Sequence, residues 1–200
     1  MKKFGTAIIL AGGKSSRMGF DKQFLKIDER RLMESLVHKL NREFEEIIIV
    51  TNKPEYYIGF SNRITKDIIE SEGPLSGIHA GLNFSSSEYA YVVACDMPNI
   101  NMDYVRFMKT SIETKNIDGC VTRFGNWIEP FSSFYSRDII KDIEEHLLSN
   151  RRSINSLLDK LNILYIEESK AREFSPNWDM FINLNTKEDL NSYLSGLANS

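Results

Sequence analysis

Thr6-Ala7-Ile8-Ile9-Leu10 runs straight into Ala11-Gly12-Gly13-Lys14-Ser15-Ser16-Arg17-Met18-Gly19-Phe20-Asp21-Lys22. An apolar run of this length suits a parallel strand covered on both faces. Glycines let the backbone after it approach a ligand closely, and Lys14, Arg17 and Lys22 supply positive charge, so the pattern suggests phosphate. Two familiar phosphate loops fail. Gly13-Lys14-Ser15 looks like the end of a Walker A loop, but the glycine that motif needs would fall on Ile8, inside the strand. The dinucleotide fingerprint needs Gly-x-Gly-x-x-Gly, whereas Gly12 and Gly13 are adjacent and the next glycine is Gly19. The loop is either a phosphate loop of another kind or a plain connection.

Outward from this loop the chain alternates. Leu32, Met33, Leu36, Val37, Leu40 and Phe44 mark one face of a helix. Ile47–Val50 reads as a second buried strand, Ile64–Ile69 as a weaker third, Ser76–Phe84 as a short helix and Tyr89–Ala94 as another buried strand. Tyr104, Val105, Met108 and Ile112 give a helix with Asn101 or Asp103 near its cap. This rhythm argues for an α/β sheet with helices on both faces. Asp118–Phe124 and Trp127–Phe134 flank Gly125-Asn126 and suit an antiparallel hairpin. A helix around Ile139–Leu148, another at Ser153–Leu161, short strands at Ile163–Ile166 and Phe181–Leu184, and a closing helix at Thr186–Leu194 complete the reading; Glu167–Trp178 is the most loop-like stretch. No linker divides the chain, so residues 1–200 are expected to form a single domain.

Composition is that of an ordinary soluble globular chain, 42% hydrophobic and 26% charged. A net charge of -3 gives no basis for broad nucleic-acid binding. Cys95 and Cys120 are far apart in apolar settings and read as buried free thiols; no Cys or His pair has zinc-ligand spacing. No signal peptide and no apolar run of membrane-spanning length is visible, which leads to the expectation of a cytoplasmic protein with no membrane partner.

In open α/β sheets, ligands bind outside the carboxyl ends of the strands. Three marked segments fall there: the opening loop, Glu72-Gly73-Pro74-Leu75-Ser76-Gly77, and Cys95-Asp96-Met97-Pro98. Asp96 either caps the following turn or holds Mg²⁺, which binds through one or two carboxylates plus substrate phosphates; a basic Gly-rich loop on the same edge favours the metal. Arg17 and Lys22 either neutralise charge on a phosphoryl group or are solvated surface, the reading kept for Lys14 and Lys26. Gly77 either starts a helix or leaves room for a base. Asp67 and Asn52 are turn residues or contacts to a base edge. His38, His79 and His146 form no triad with a serine, and Trp127 and Trp178 read as core or rim.

The blocks LAGGKSSRMGFDK, EGPLSGIHAGL, CDMPNI, EPFSSFY and FINLNTKEDL occur in order from Thr6 to Leu194. With them the chain resembles the molybdenum cofactor guanylyltransferases, within the nucleotidyltransferases of the sugar-nucleotide type. The resemblance implies a Rossmann-like three-layer nucleotidyltransferase fold: a mostly parallel twisted sheet, helices on both faces, and a small antiparallel portion in the second half. It implies Mg²⁺-dependent transfer of GMP from GTP to the molybdenum-molybdopterin cofactor, with molybdoenzyme insertion chaperones as recipients of the product. By matching motif, Leu10, Ala11, Gly12 and Gly13 would line the GTP site. Lys22 and Arg17 would meet its phosphates, Asn52 and Asp67 would lie near the guanine, Gly77 would belong to the nucleotide site, and Asp96 would bind Mg²⁺ and GTP. Asn183 and Asn185 would face the pterin side. The chain departs from the family pattern at Ser71 and Glu72, and has Phe131 in the family's usual Glu-Pro-Leu. Rival readings are a cytidylyltransferase of the same cofactor or another phosphate acceptor, and a catalytically inactive nucleotide-binding adaptor.

Overall fold

The computed structural model describes residues 1–11, 22–60, 63–69, 73–184, 186, 188, 189, 192, 193 and 195, with backbone alone at 22–29 and 31. The strands β1 (Thr6–Leu10), β2 (Glu46–Val50), β3 (Arg63–Thr65), β4 (Tyr89–Ala94), β5 (Gly119–Phe124), β6 (Trp127–Ser136) and β7 (Ile163–Glu167) form one sheet in the order β3-β2-β1-β4-β6-β5-β7. β1, β2, β3 and β4 pair in parallel, as do β5 and β7. Only β6 runs against its neighbours, β4 and β5. The helices are α1 (Lys22–Leu40), α2 (Pro74–Phe84), α3 (Met102–Ile112), α4 (Ile140–Leu148), α5 (Ile154–Leu158) and α6 (Glu168–Ala171).

Successive side chains on a strand point to opposite faces, so each central strand feeds two cores. Ala7, Ile9, Ile49, Tyr91 and Val93 pack with Met33 and Leu36 of α1 and Val105 and Met108 of α3. Ile8, Leu10, Ile48, Val50 and Val92 pack with Leu75 and Ile78 of α2 and Ile143 and Leu147 of α4. The result is the expected three layers, and it explains why these strands read as unbroken apolar runs. Each fully buried Ile or Val side chain contributes roughly 1.5–3 kcal/mol. Asn101 is the cap of α3, its side chain accepting from the Tyr104 N–H at 3.0 Å.

Four sequence expectations are corrected. The third strand is only Arg63–Thr65, because β2 ends at Val50 and the Thr51 N–H bond to the Thr65 carbonyl, 2.9 Å, is the last rung. Phe181–Leu184 is no strand: Asp179–Phe181 is a 3-10 turn whose Met180 and Phe181 are buried as cover over the α1/α3 core. The helix expected at Ser153–Leu161 is trimmed to Ile154–Leu158, where Ser153 caps it and Leu161 closes a tight turn on Leu158. The stretch Glu167–Trp178 contains α6, anchored by the buried Ala171. The hairpin stands, closed by Gly125 at φ +56°. Cys120 is a buried free thiol, as expected, while Cys95 is only half-buried.

Gly81 shows how closely α2 lies on β1. A Cβ there would sit 2.5 Å from Ile8 Cγ2 and 2.8 Å from Ile8 Cδ1, and Ile8 is fully buried. Overpacking outweighs the gain of about 1 kcal/mol in helix propensity. Gly81→Ala is therefore expected to destabilise by roughly 1–2 kcal/mol, read as a lower urea midpoint at unchanged m-value.

Candidate active site

The chain leaves β1 for β2 and then β3 on one side, and returns to β4 on the other. That is the switch point at which open α/β sheets bind ligands. The β1–β4 ladder ends at Leu10 opposite Ala94. It is prolonged by the Cys95 N–H on the Leu10 carbonyl, 3.0 Å, while the Ala11 N–H reaches the Val50 carbonyl at 2.8 Å. Three chain segments thus leave the sheet side by side, each fixed by backbone bonds.

On the β2/β3 side, Asn52 Nδ2 donates to Asp67 Oδ2 at 2.8 Å. The other oxygen, Oδ1, lies toward Gly77: a Cβ on Gly77 would be 3.8 Å from it, 3.1 Å from Leu10 Cδ2 and 3.8 Å from Val50 Cγ1. Leu10, Asn52, Asp67 and Gly77 are therefore gathered at one place, with space where Gly77 lacks a side chain.

On the β4 side, the Met97 N–H closes a turn on the Ala94 carbonyl at 3.1 Å. Met97 is buried and Asp96 half-buried. Burial pushes the Asp96 carboxyl above its ordinary range, opposed only by a bond from its own backbone N–H. Among the described residues no Lys or Arg pairs with it. The Leu184 N–H donates to the Asp96 carbonyl at 2.8 Å, which tethers the segment carrying the exposed Asn183 to this turn. Gly12, Gly13, Arg17 and Asn185 lie outside the described residues. Lys22 is the first residue of α1, and its side chain is not described. His79 is not at this edge: it is buried between α2 and α4, its Nε2 2.9 Å from Glu144 Oε1 and 3.1 Å from Asn83 Nδ2.

Sequence reasoning missed Glu129. Because β6 runs against β4, its N-terminal half lies at the same edge as Asp96. Glu129 is half-buried and burial alone pushes its carboxyl from 4.5 up to about 7. The available signal was an acidic residue inside the apolar run Trp127–Tyr135, next to Pro130, which cannot donate to a ladder. A folded-state pKa above the unfolded value favours the neutral acid in the native state. The stabilising contribution is full below about 4.5 and is lost as pH rises through about 7. Glu129→Gln, which stays neutral, is expected to match the parent at pH 5 and to exceed it at pH 8 by up to about 1 kcal/mol after solvent screening, roughly 2–4 °C in Tm. Melting curves at the two pH values check this.

The sequence pattern of the MobA-like NTP transferase domain matches residues 7–164. A protein of Peptoclostridium acidaminophilum named "Probable molybdenum cofactor guanylyltransferase" is 53% identical over 197 residues, 96% of this chain and 89% of that one. The "Molybdenum cofactor guanylyltransferase" of Syntrophotalea carbinolica is 49% identical over 191 residues, 96% and 91% of the two chains. The crystal structure of molybdopterin-guanine dinucleotide biosynthesis protein A from Archaeoglobus fulgidus superposes with a TM-score of 0.79 over 98% of this chain and 100% of that one, and at 23% identity it bears on the fold. Matches of this extent, over a nucleotidyltransferase fold with its switch-point edge lined as described, make the chain an enzyme of nucleotidyl transfer that belongs to the MobA-like NTP transferase family.

Proposed function

We propose that this chain transfers GMP from GTP to the molybdenum-molybdopterin cofactor, forming molybdopterin guanine dinucleotide and pyrophosphate with Mg²⁺. The observation that carries the reading is the pairing of two flanks across one edge: Asp67 held by Asn52 beside Gly77, and Asp96 at the end of β4. Guanine presents N1–H and an amino group side by side. With Oδ2 of Asp67 engaged by Asn52, Oδ1 remains for those donors. Leu10 and Ala11, continuing into Gly12 and Gly13, line the nucleotide, and Lys22 and Arg17 neutralise its phosphates.

The donor set fits Mg²⁺. That ion is held by one or two carboxylates with substrate phosphates completing its shell, so a cluster of three protein ligands is not required. Asp96 offers a half-buried carboxylate that a cation relieves of its desolvation. The ion supplies charge neutralisation at the triphosphate. The remaining work is positioning. A phosphate oxygen of the acceptor forms a bond to the α-phosphorus as the bond to pyrophosphate breaks, and no protein nucleophile takes part. The tether between Leu184 and Asp96 supports placing Asn183 and Asn185 on the pterin side. One sheet running from Thr6 to Glu167 supports a single nucleotidyltransferase domain over residues 1–200. No helix among the described residues is long and apolar enough to cross a membrane, which suits a cytoplasmic enzyme handing its product to insertion chaperones.

Melting curves with GTP, CTP, ATP and UTP, each with Mg²⁺ or chelator, test the base. A rise for GTP, larger with Mg²⁺, is expected; a rise for CTP instead would move the function to cytidylyl transfer. Asp96→Asn is expected to remove the Mg²⁺-dependent part of the GTP shift and to lower turnover about a hundredfold or more, the scale for losing one preorganised electrostatic contact. Turnover within threefold of the parent would sink the metal assignment.

A further inference from the structure

The bulge in β6 arranges one face of the β5–β6 hairpin at the ligand edge, and GMP transfer as proposed leaves that face without a role. Two steps along β5, from Cys120 to Thr122, oppose five along β6, from Phe134 to Glu129. Bulges of this kind re-aim side chains near active sites. Three side-chain hydrogen bonds lock it. Tyr91 Oη lies 2.6 Å from Ser132 Oγ, Ser133 Oγ donates to the Glu129 carbonyl at 2.8 Å, and Tyr135 Oη donates to the Pro130 carbonyl at 2.8 Å. Ser132 is held at φ +62°, a conformation that persists in a non-glycine residue only where its surroundings over-determine it.

Beyond the bulge, Thr122 is opposite Glu129 and Phe124 opposite Trp127. Directly opposed residues share a face. Thr122 Oγ1 meets Tyr104 Oη of α3 at 2.6 Å, so all four side chains are on the α3 face. Phe124 is packed 5.6 Å from the Trp178 ring, while Trp127 is 68% exposed. The Glu129 carboxylate has no hydrogen-bond or ionic partner among the described residues. An unpaired, half-buried carboxylate beside open aromatic surface is built to receive a flat ring that carries adjacent N–H donors.

The proposed reaction involves two such rings, since guanine and a pterin share the 2-amino-4-oxopyrimidine edge. Asp67 lies beyond β3 and Glu129 on β6, so they flank the β1/β4 switch point from opposite sides. Four strand spacings separate β3 from β6, roughly 19 Å at about 4.8 Å each, with Asp96 between. We propose that Glu129 binds the N3–H and 2-amino edge of the acceptor's pterin while Trp127 and Phe124 present aromatic surface to the ring. This assignment rests on the molybdopterin reading and deepens it by giving each heterocycle its own carboxylate.

The test is steady-state kinetics of Glu129→Gln and Trp127→Ala with GTP and molybdopterin as varied substrates, alongside the GTP melting shift. Gln keeps the shape but turns one acceptor into a donor. Its KM for molybdopterin is expected to rise about tenfold or more, and that of Trp127→Ala several-fold. The kcat, the KM for GTP and the Mg²⁺-dependent GTP shift stay within about twofold, the signature of lost uniform binding. Trp127 is exposed, so its variant tests the same surface without disturbing the core. Unchanged KM for molybdopterin in both variants overturns the assignment. Loss of the Mg²⁺-dependent shift in Glu129→Gln also overturns it, by moving Glu129 to the metal. Absence of transfer to molybdopterin by the parent protein takes down the functional reading itself.

Discussion

β1 lies in register with β4 from Thr6 opposite Ala90 to Leu10 opposite Ala94, and with β2 from Thr6 opposite Glu46 to Leu10 opposite Val50. Ala7, Ile8 and Ile9 are wholly buried, as are Ala90, Tyr91, Val92 and Val93. A slip of one residue would exchange the two faces of β1 and send every side chain into the wrong core. The register is therefore fixed by packing, and the points at which the strands stop are fixed with it. Ala11, Thr51 and Cys95 leave the sheet where they do because the apolar runs end there. The ligand edge inherits its geometry from the core beneath, which is why a site made of loops can be precise.

The carboxylates of the molecule separate by what burial does to them. Burial also raises Glu43 and Glu46, yet both end below the ordinary range. Lys109 and Arg106 outweigh it at Glu43, and bonds from Ser86 and Thr6 with the charge of Arg63 outweigh it at Glu46. These tie helices and strands together. At Asp96 and Glu129 burial is not outweighed, and both end above their ordinary range. Leaving a carboxyl desolvated without a partner detracts from stability. Two such groups at one edge of the sheet, with Glu43 and Glu46 away from it, fit a site whose partners arrive with the substrate.

The parallel half of the fold was legible because its strands are covered on both faces and therefore spell themselves as apolar runs; Thr6–Leu10 and Tyr89–Ala94 were read to the residue. Phe181–Leu184 misled because an apolar run of that length also suits a cover segment, and only tertiary placement distinguishes the two. Leu10, Asn52, Asp67 and Gly77 carry signals of a loop edge, but their convergence depends on strand order, which spacing alone does not encode. The placement of Glu129 was harder to read, for a stronger reason. Its position depends on a bulge, and the bulge is set by hydroxyls of Tyr91, Ser133 and Tyr135 acting across strands and along β6.

The single reversed strand has a chemical consequence. A parallel strand contributes to the ligand edge the residues at and past its last rung, such as Leu10 of β1 and Asp96 beyond β4. β6 arrives from the opposite direction and presents residues that are still in a ladder, with Glu129 opposite Thr122 and Trp127 opposite Phe124. Side chains on a paired strand lose less freedom on binding than side chains on a loop. In the proposed reaction the nucleotide meets residues at and beyond the ends of the parallel strands, while the acceptor meets side chains of a paired strand. In that reading, one antiparallel strand beside the switch point lets the acceptor meet side chains held in a ladder without altering the core beneath.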